Sequence, residues 1–208
     1  MTLDRRMVRG DRTRQRILDH AMAIASLDGL EGLSIGRLAT DLGVSKSGLF
    51  AHFGSKEELQ VAVIAAARDV FSREVVEPAF QAAPGLPRLV RLCEGWLEYS
   101  ERRVFPGGCF FYAAGAEFDA RPGRIRDLLA EARRDWLGLC RRTARDALQL
   151  GQLVEDVDLD QFVFELDALA TAANSAALLL DDASAYQRSR TGILSRLRAS
   201  ATRPEDLP

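Results

Sequence analysis

The run Leu42-Gly-Val-Ser-Lys-Ser-Gly-Leu-Phe-Ala-His-Phe-Gly-Ser-Lys-Glu-Glu-Leu59 contains both lysines of the chain, Lys46 and Lys56, and one of its two histidines, His52. Every other basic side chain is arginine, and the two cations are not equivalent donors. Gly43 supplies the left-handed conformation that a tight turn between helices needs. Ser45 is a good N-cap for a helix running to about Phe53, and Gly54 breaks it. Ser55-Lys-Glu-Glu58 reads as a capping box, the serine accepting from an amide while Glu58 reaches back, and it opens a further helix. Upstream, Ser34 caps a short helix from about Ile35 to Leu42, with Leu38 and Ala39 facing inward. Two short helices joined by a glycine-containing turn form a helix-turn-helix, whose second helix enters the DNA major groove.

The register divides this run into two faces. Leu49 and Phe53 face a three-helix core, and Val44 plugs it. Lys46, Phe50 and His52 project outward. The helix begins with Ser45, Lys46, Ser47 and Gly48, small polar residues but for the lysine, so its amides can approach a groove or a phosphate. Lys56 lies in the first turn of the next helix, where a cation is unfavourable for the dipole; this favours a phosphate contact over a structural role. His52 alone reads equally well as a surface histidine. Arg37 reads as a phosphate contact or a solvated charge.

The segment Ser34-Ile-Gly-Arg-Leu-Ala-Thr-Asp-Leu-Gly-Val-Ser-Lys-Ser-Gly-Leu-Phe-Ala-His-Phe-Gly-Ser-Lys-Glu-Glu-Leu59 strongly resembles the TetR family of transcriptional regulators. The resemblance covers about residues 11–60, and the helix count extends it along the chain. It implies a homodimer with one DNA-binding head per subunit and a helical body that binds a small-molecule inducer, and hence a repressor released from its operator. Lys46, Ser47 and Gly48 match recognition-helix positions; Phe50, His52 and Lys56 match backbone-contacting positions. With Ser34, Arg37 and Ser45 they make up the candidate DNA-binding set. The family usually has tyrosine where this chain has Phe50, so the hydroxyl that bonds a phosphate is missing.

The rest of the 208 residues reads as helix. β-Branched residues are sparse, and Ala, Leu, Arg and Glu dominate. Four arginines, Arg5, Arg6, Arg9 and Arg12, form an expected mobile arm before a first helix starting near Asp11. That arm can serve as solubilising charge or enter a minor groove. Gly29 and Gly32 end the first helix, and the fourth runs to about Glu77, before Pro78. Leu89, Leu92, Cys93 and Trp96 mark the fifth and Cys109 to Phe118 the sixth. Pro122 fits the first turn of a seventh, closed by Gly151. Asp158 opens an eighth with the stripe Phe162, Leu166, Leu169, Ala173, Ala177 and Leu180. A ninth spans about Ser184 to Ser200, before a frayed tail from Thr202 to Pro208. The expected fold is all-α with about nine helices: a helix-turn-helix domain over 1–56 and an effector-binding and dimerisation domain over 57–208.

Charge follows the same division. Residues 1–56 hold nine Arg or Lys against six Asp or Glu, and residues 57–208 hold nineteen against twenty-four. A basic head on an acidic body fits double-stranded DNA as the head's partner. No apolar run approaches the ~18–20 residues of a membrane span, and the charged N-terminus lacks a signal-peptide core, so the expected location is cytoplasmic. Three widely spaced cysteines read as reduced thiols without a metal pattern.

No phosphate loop, nucleophile elbow or His/Cys cluster points to an enzyme, a metal or a cofactor. The resemblance implies a second partner, another copy of the chain, through Leu166, Leu169, Ala173, Ala177, Leu180, Ile193 and Leu197; internal packing is the competing reading of these positions. The third is a small, largely apolar effector held among helices five to seven by Trp96, Tyr99, Cys109, Tyr112, Trp136 and Cys140, most of which also suit a core. Cys109 follows Gly107-Gly108 at a helix start, where the dipole lowers a thiol pKa, so a redox-sensing regulator is an alternative. A helical adaptor is another.

Overall fold

The computed structural model describes the backbone from Thr2 to Pro208 and the side chains from Arg12 onward. It is helical throughout: α1 (Thr2–Asp28), α2 (Ile35–Leu42), α3 (Lys46–Phe53), α4 (Lys56–Phe71), α5 (Leu86–Glu101), α6 (Phe110–Phe118), α7 (Arg124–Gln149), α8 (Leu159–Leu179) and α9 (Ala185–Ser200). Extended pairing among the described residues is limited to one bridge, Leu153 with Ala201.

Two compact units emerge. The first takes residues up to Asp69 together with Phe105–Ala130; the second takes Val70–Val104 and Glu131–Pro208. The first unit therefore includes α6 and the start of α7 as well as the helix-turn-helix. Its core gathers Ile17, Leu18, Ala21 and Ile24 from α1, Leu30 and Leu33 from the following loop, and Leu38, Leu49, Phe53, Leu59 and Val63. Phe110, Ala114 and Phe118 bury one face of α6, which packs on α1. In the second unit α8 and α9 pack along their length and α5 packs on both. Leu89, Leu92, Trp96, Phe162, Leu166, Ala173, Ile193 and Leu197 fill the space between them.

Several boundaries differ from expectation for identifiable reasons. The α1 backbone is helical from Thr2 rather than from Asp11. Leu3 to Arg9 are mostly good helix formers, and the single Gly10 costs only about 1 kcal/mol. The side chains of Arg5, Arg6 and Arg9 lie outside the described residues. Pro78 does not end the fourth helix. A π-helical turn over Ser72–Val76, in which the Glu77 amide bonds the Ser72 carbonyl, leads into Glu77–Ala79. The wider turn sits where an α register would aim a carbonyl at the proline ring.

Pro122 precedes α7 instead of entering its first turn. Gly123, at φ 141°, breaks the chain direction there, and its carbonyl accepts from the Asp127 amide at 3.1 Å. The tail is tied rather than frayed. Thr202 donates its amide to the Gln152 carbonyl at 3.0 Å and its hydroxyl to the Gly151 carbonyl at 2.8 Å, and Arg198 reaches the Pro208 carbonyl.

Candidate nucleic-acid interface and effector site

The head is built by caps. Ser34 Oγ accepts from the Arg37 amide at 3.1 Å and starts α2. Gly43 ends α2 at φ 64°, and the next amide, of Val44, returns to the Ala39 carbonyl at 3.0 Å. That return leaves Val44 exposed at the turn, so it does not plug the core as expected. Ser45 Oγ accepts from the Gly48 amide at 3.0 Å and lies 3.2 Å from Ser47 Oγ. Leu49 and Phe53 are buried, whereas Ser45, Lys46, Ser47, Gly48 and Phe50 are exposed and His52 is half-buried. The amino-terminal turn of α3 thus presents one lysine, two hydroxyls, a glycine and a phenyl ring on one open surface.

Other candidates are engaged inside the unit. Arg37 pairs with Asp28 at 2.5 Å and lies 3.8 Å from Asp41, which also meets His20 at 3.2 Å. Lys56 Nζ donates to the Glu31 carboxylate at 2.7 Å and to the Glu31 carbonyl at 2.6 Å. The lysine beside it outweighs the opposing effect of burial and holds the Glu31 carboxyl below its ordinary range. Lys56 therefore has a contact inside the unit as well: its long stem carries the ammonium from the α4 start across to the loop after α1. Ser55 caps α4 by accepting from the Glu58 amide at 3.0 Å, but Glu58 does not reach back. Its carboxylate pairs with Arg124 instead.

Sequence reasoning missed Glu117, on α6. Its two oxygens accept from the Leu30 amide at 2.7 Å and the Glu31 amide at 3.0 Å. Gln60 adds a bond from its side chain to the Leu30 carbonyl at 2.9 Å. Gly29 adopts φ 81°, and a Cβ there would lie 2.7 Å from the Glu117 carboxylate. The loop that leads into α2 is thus clamped from α6. The only sequence signal was Gly29 itself, which does not name its partner.

The effector candidates do not all gather in one unit. Cys109 and Tyr112 lie in the first, where Cys109 is buried and Tyr112 is exposed. Trp96, Tyr99, Trp136 and Cys140 lie in the second. There Phe71 stands edge-on to Tyr99 at 5.4 Å and to Trp136 at 5.2 Å. The Trp136 indole N–H donates to Asp167 Oδ1 at 3.3 Å, and Arg133 bonds both Asp167 oxygens. Ser100 Oγ donates to Asn174 Oδ1 at 2.6 Å and lies 2.8 Å from the Tyr186 hydroxyl. This interior is more polar than the apolar lining read from composition. Burial, followed by the Asp167 and Glu94 charges, pushes the Cys93 thiol up to about 12, and burial likewise raises Cys140. Among the described residues no cluster of three or more His, Cys, Asp or Glu is placed to hold a metal.

The expected dimer residues are largely consumed within the chain. Leu166, Ala173 and Ala177 on α8 and Ile193 and Leu197 on α9 are buried in the single subunit, and Leu169 packs against Gly192. Leu180 is exposed but lies past the end of α8. The other arc of α8 is open: Phe164 is 65% and Leu179 79% exposed, with Ala168 and Ala172 between them. α8 thus carries two apolar arcs, one packed within the subunit and one open.

Comparison with known proteins now gives this arrangement a family. Residues 17–63 match bacterial regulatory proteins of the tetR family, and residues 85–193 match the tetracyclin repressor-like, C-terminal domain. Comparison with curated proteins gives no match. Among solved structures, a TetR transcriptional regulator from Chloroflexus aurantiacus is 22% identical with a TM-score of 0.82, covering 93% of this chain and 98% of that one. A protein from Saccharomonospora viridis in complex with choline is 23% identical with a TM-score of 0.78, covering 92% and 98%. AibR, in complex with isovaleryl coenzyme A and operator DNA, is 19% identical with a TM-score of 0.68, covering 86% and 94%. At these identities the likeness is one of fold, and the two profile matches carry the assignment: this chain belongs to the TetR family of transcriptional regulators.

Proposed function

We propose that the protein is a homodimeric repressor that binds a near-palindromic operator and leaves it when a small molecule binds the body. The observation that carries this reading is the open amino-terminal turn of α3, where Lys46, Ser47 and Gly48 are exposed while Leu49 and Phe53 anchor the helix from behind. A helix presented in this way can enter a major groove amino-end first. Lys46, Ser47 and Gly48 read bases or nearby phosphates; Ser45, His52 and Lys56 position the head on the backbone. Ser34 acts through its cap on α2. Arg37 and Lys56 start from carboxylate partners, so their phosphate contacts are exchanges of one anion for another. Phe50, lacking a hydroxyl, offers an apolar face to sugar or a thymine methyl.

The open arc of α8 supports a second copy as the partner. Phe164, Ala168, Ala172 and Leu179 recur at helical spacing on one face. By length and composition α8 is also apolar enough to cross a membrane, but Glu165 and Asp167 on it are paired with Arg196 and Arg133. Twofold pairing places two recognition helices about 34–36 Å apart.

The complexes of choline and of isovaleryl coenzyme A in relatives give precedent for a small molecule in this fold. The interior polar groups argue for an effector less apolar than composition suggested. Ligand acts only to the extent that it favours one body conformation over another. A redox role for Cys109 has little support, because the thiol is buried.

The test is enrichment of random duplexes at near-physiological salt, with Lys46→Ala/His52→Ala as control. A near-palindromic site lost in the control supports the reading. No enrichment by folded, dimeric protein that has been unfolded, dialysed and refolded to strip ligand refutes it.

A further inference from the structure

We propose that the second unit binds an organic cation, a guanidinium or substituted ammonium, on the Asp167 carboxylate, in the place that Arg133 occupies in the structure. This deepens the ligand-responsive reading above and rests on it. Asp167 sits on α8 with its side chain 10% exposed, while that of Arg133, on α7, is 48% exposed. A carboxylate so covered needs a cation. Here the cation comes from a long side chain that leads out to solvent.

The surroundings favour one class of cation. Trp136 meets Asp167 through its indole N–H, and Phe71 stands edge-on between Trp136 and Tyr99. Cys93 and Cys140 lie close enough to Asp167 that its charge adds to the upward push on both thiols. The Trp136 indole beside this carboxylate, with Phe71 and Tyr99 beyond it, suits weakly hydrated cations better than sodium. An anionic ligand meets the Asp167 charge, and a neutral one that displaces Arg133 leaves that charge uncompensated. The chain's own guanidinium therefore stands where the ligand's charge belongs. Its displacement breaks the tie between α7 and α8, and that difference in contacts is what allows a ligand to shift a conformational equilibrium.

Two variants test the idea. Methylguanidinium and tetramethylammonium are titrated against the full chain, read by tryptophan fluorescence and thermal shift, with sodium at equal ionic strength as reference. Arg133→Ala removes the internal competitor and should bind the probes about tenfold tighter than wild type. Adding Asp167→Asn to Arg133→Ala removes the carboxylate charge with little further change of shape and should lose that binding. If Arg133→Ala fails to fold alone, its rescue by methylguanidinium but not by sodium gives the same positive result. No gain in Arg133→Ala, or equal binding in the double variant, overturns the proposal. Operator release by other compounds, with these cations not binding, leaves the regulator standing and removes the cation site. Tight probe binding with the operator complex intact upholds the site and counts against the ligand-responsive reading.

Discussion

Replacing Glu117 by glutamine keeps the side chain's length and one acceptor oxygen. It turns the other oxygen into an NH2 group that faces an N–H. In the wild type the two oxygens accept from the Leu30 amide at 2.7 Å and the Glu31 amide at 3.0 Å. A hydrogen bond to a charged group contributes about 1.5–3 kcal/mol. The bond to Glu31 is solvent-exposed, which puts the loss near the lower end, about 1.5 kcal/mol. Opening the loop becomes easier by that amount, roughly tenfold in its equilibrium constant.

Native-state hydrogen exchange resolved to single amides measures this. Leu30 and Glu31 should exchange about tenfold faster in Glu117→Gln, while amides in the middle of α8 should not change. Unchanged protection at Leu30 and Glu31 would refute the claim that Glu117 holds this loop. Equal acceleration in both units would mean that the substitution destabilised the whole chain. Because the loop leads directly to the Ser34 cap of α2, operator affinity should fall in parallel with lost protection.

Lys56→Ala should weaken binding to every duplex and flatten the salt dependence by about 0.9 in slope, the value for one phosphate. Glu31→Gln should tighten binding by freeing that lysine, and an unchanged slope in Lys56→Ala would make the lysine a purely structural clamp. Cys93, raised to about 12, stays protonated in the folded state while the unfolded thiol ionises near ~8.5. Its contribution to stability is therefore fully present below that value and lost as pH rises toward 12, so the unfolding midpoint should fall above about pH 9. Rapid labelling of Cys93 in native protein at neutral pH would contradict its burial. At the proposed α8 interface, Phe164→Glu and Leu179→Glu should each shift sedimentation from dimer to monomer, whereas the same change at solvent-exposed Gln187 should not.

Local signals carried the head almost completely. Ser34, Gly43, Ser45 and Ser55 act over three or four residues, and each makes the cap or turn that its chemistry implies. What failed was long-range. Glu117 lies 87 residues from Leu30, and no periodicity announces a carboxylate that caps another segment's amides. The Glu31 partner of Lys56 was hidden for the same reason, since the dipole rule considers only its own helix and Glu31 comes from elsewhere. Asp167 carried a faint signal, as a charge within the Ala- and Leu-rich α8 sequence. Its partners Arg133 and Trp136 come from a helix whose spatial neighbours the sequence does not state. Pro78 shows a local rule overridden locally: a wider helical turn immediately before it removed the conflict.

The two arcs of α8 separate the residues that pack within one subunit from those left open to a second copy. A helix apolar on every side is normally buried on every side. Within one subunit, Leu166, Ala173 and Ala177 are covered, but Phe164 and Leu179 are 65% and 79% exposed. Periodicity finds apolar positions and is silent on which neighbour covers them. Burying a phenylalanine or leucine side chain contributes about 1.5–3 kcal/mol. In a twofold interface each residue appears twice, so a single substitution removes that contribution from both subunits. Phe164→Glu therefore forfeits roughly 3–6 kcal/mol before any charge repulsion, at least about a hundredfold in the dimer dissociation constant. A buried-arc change such as Leu166→Ala creates a cavity inside each subunit and costs folding stability, about 2–5 kcal/mol, with its main effect on the unfolding midpoint. The two arcs are thus separable by experiment: one set of substitutions moves the association constant and the other moves the melting temperature. If Phe164→Glu melts early and stays dimeric, or if it leaves association untouched, the open arc is not the interface.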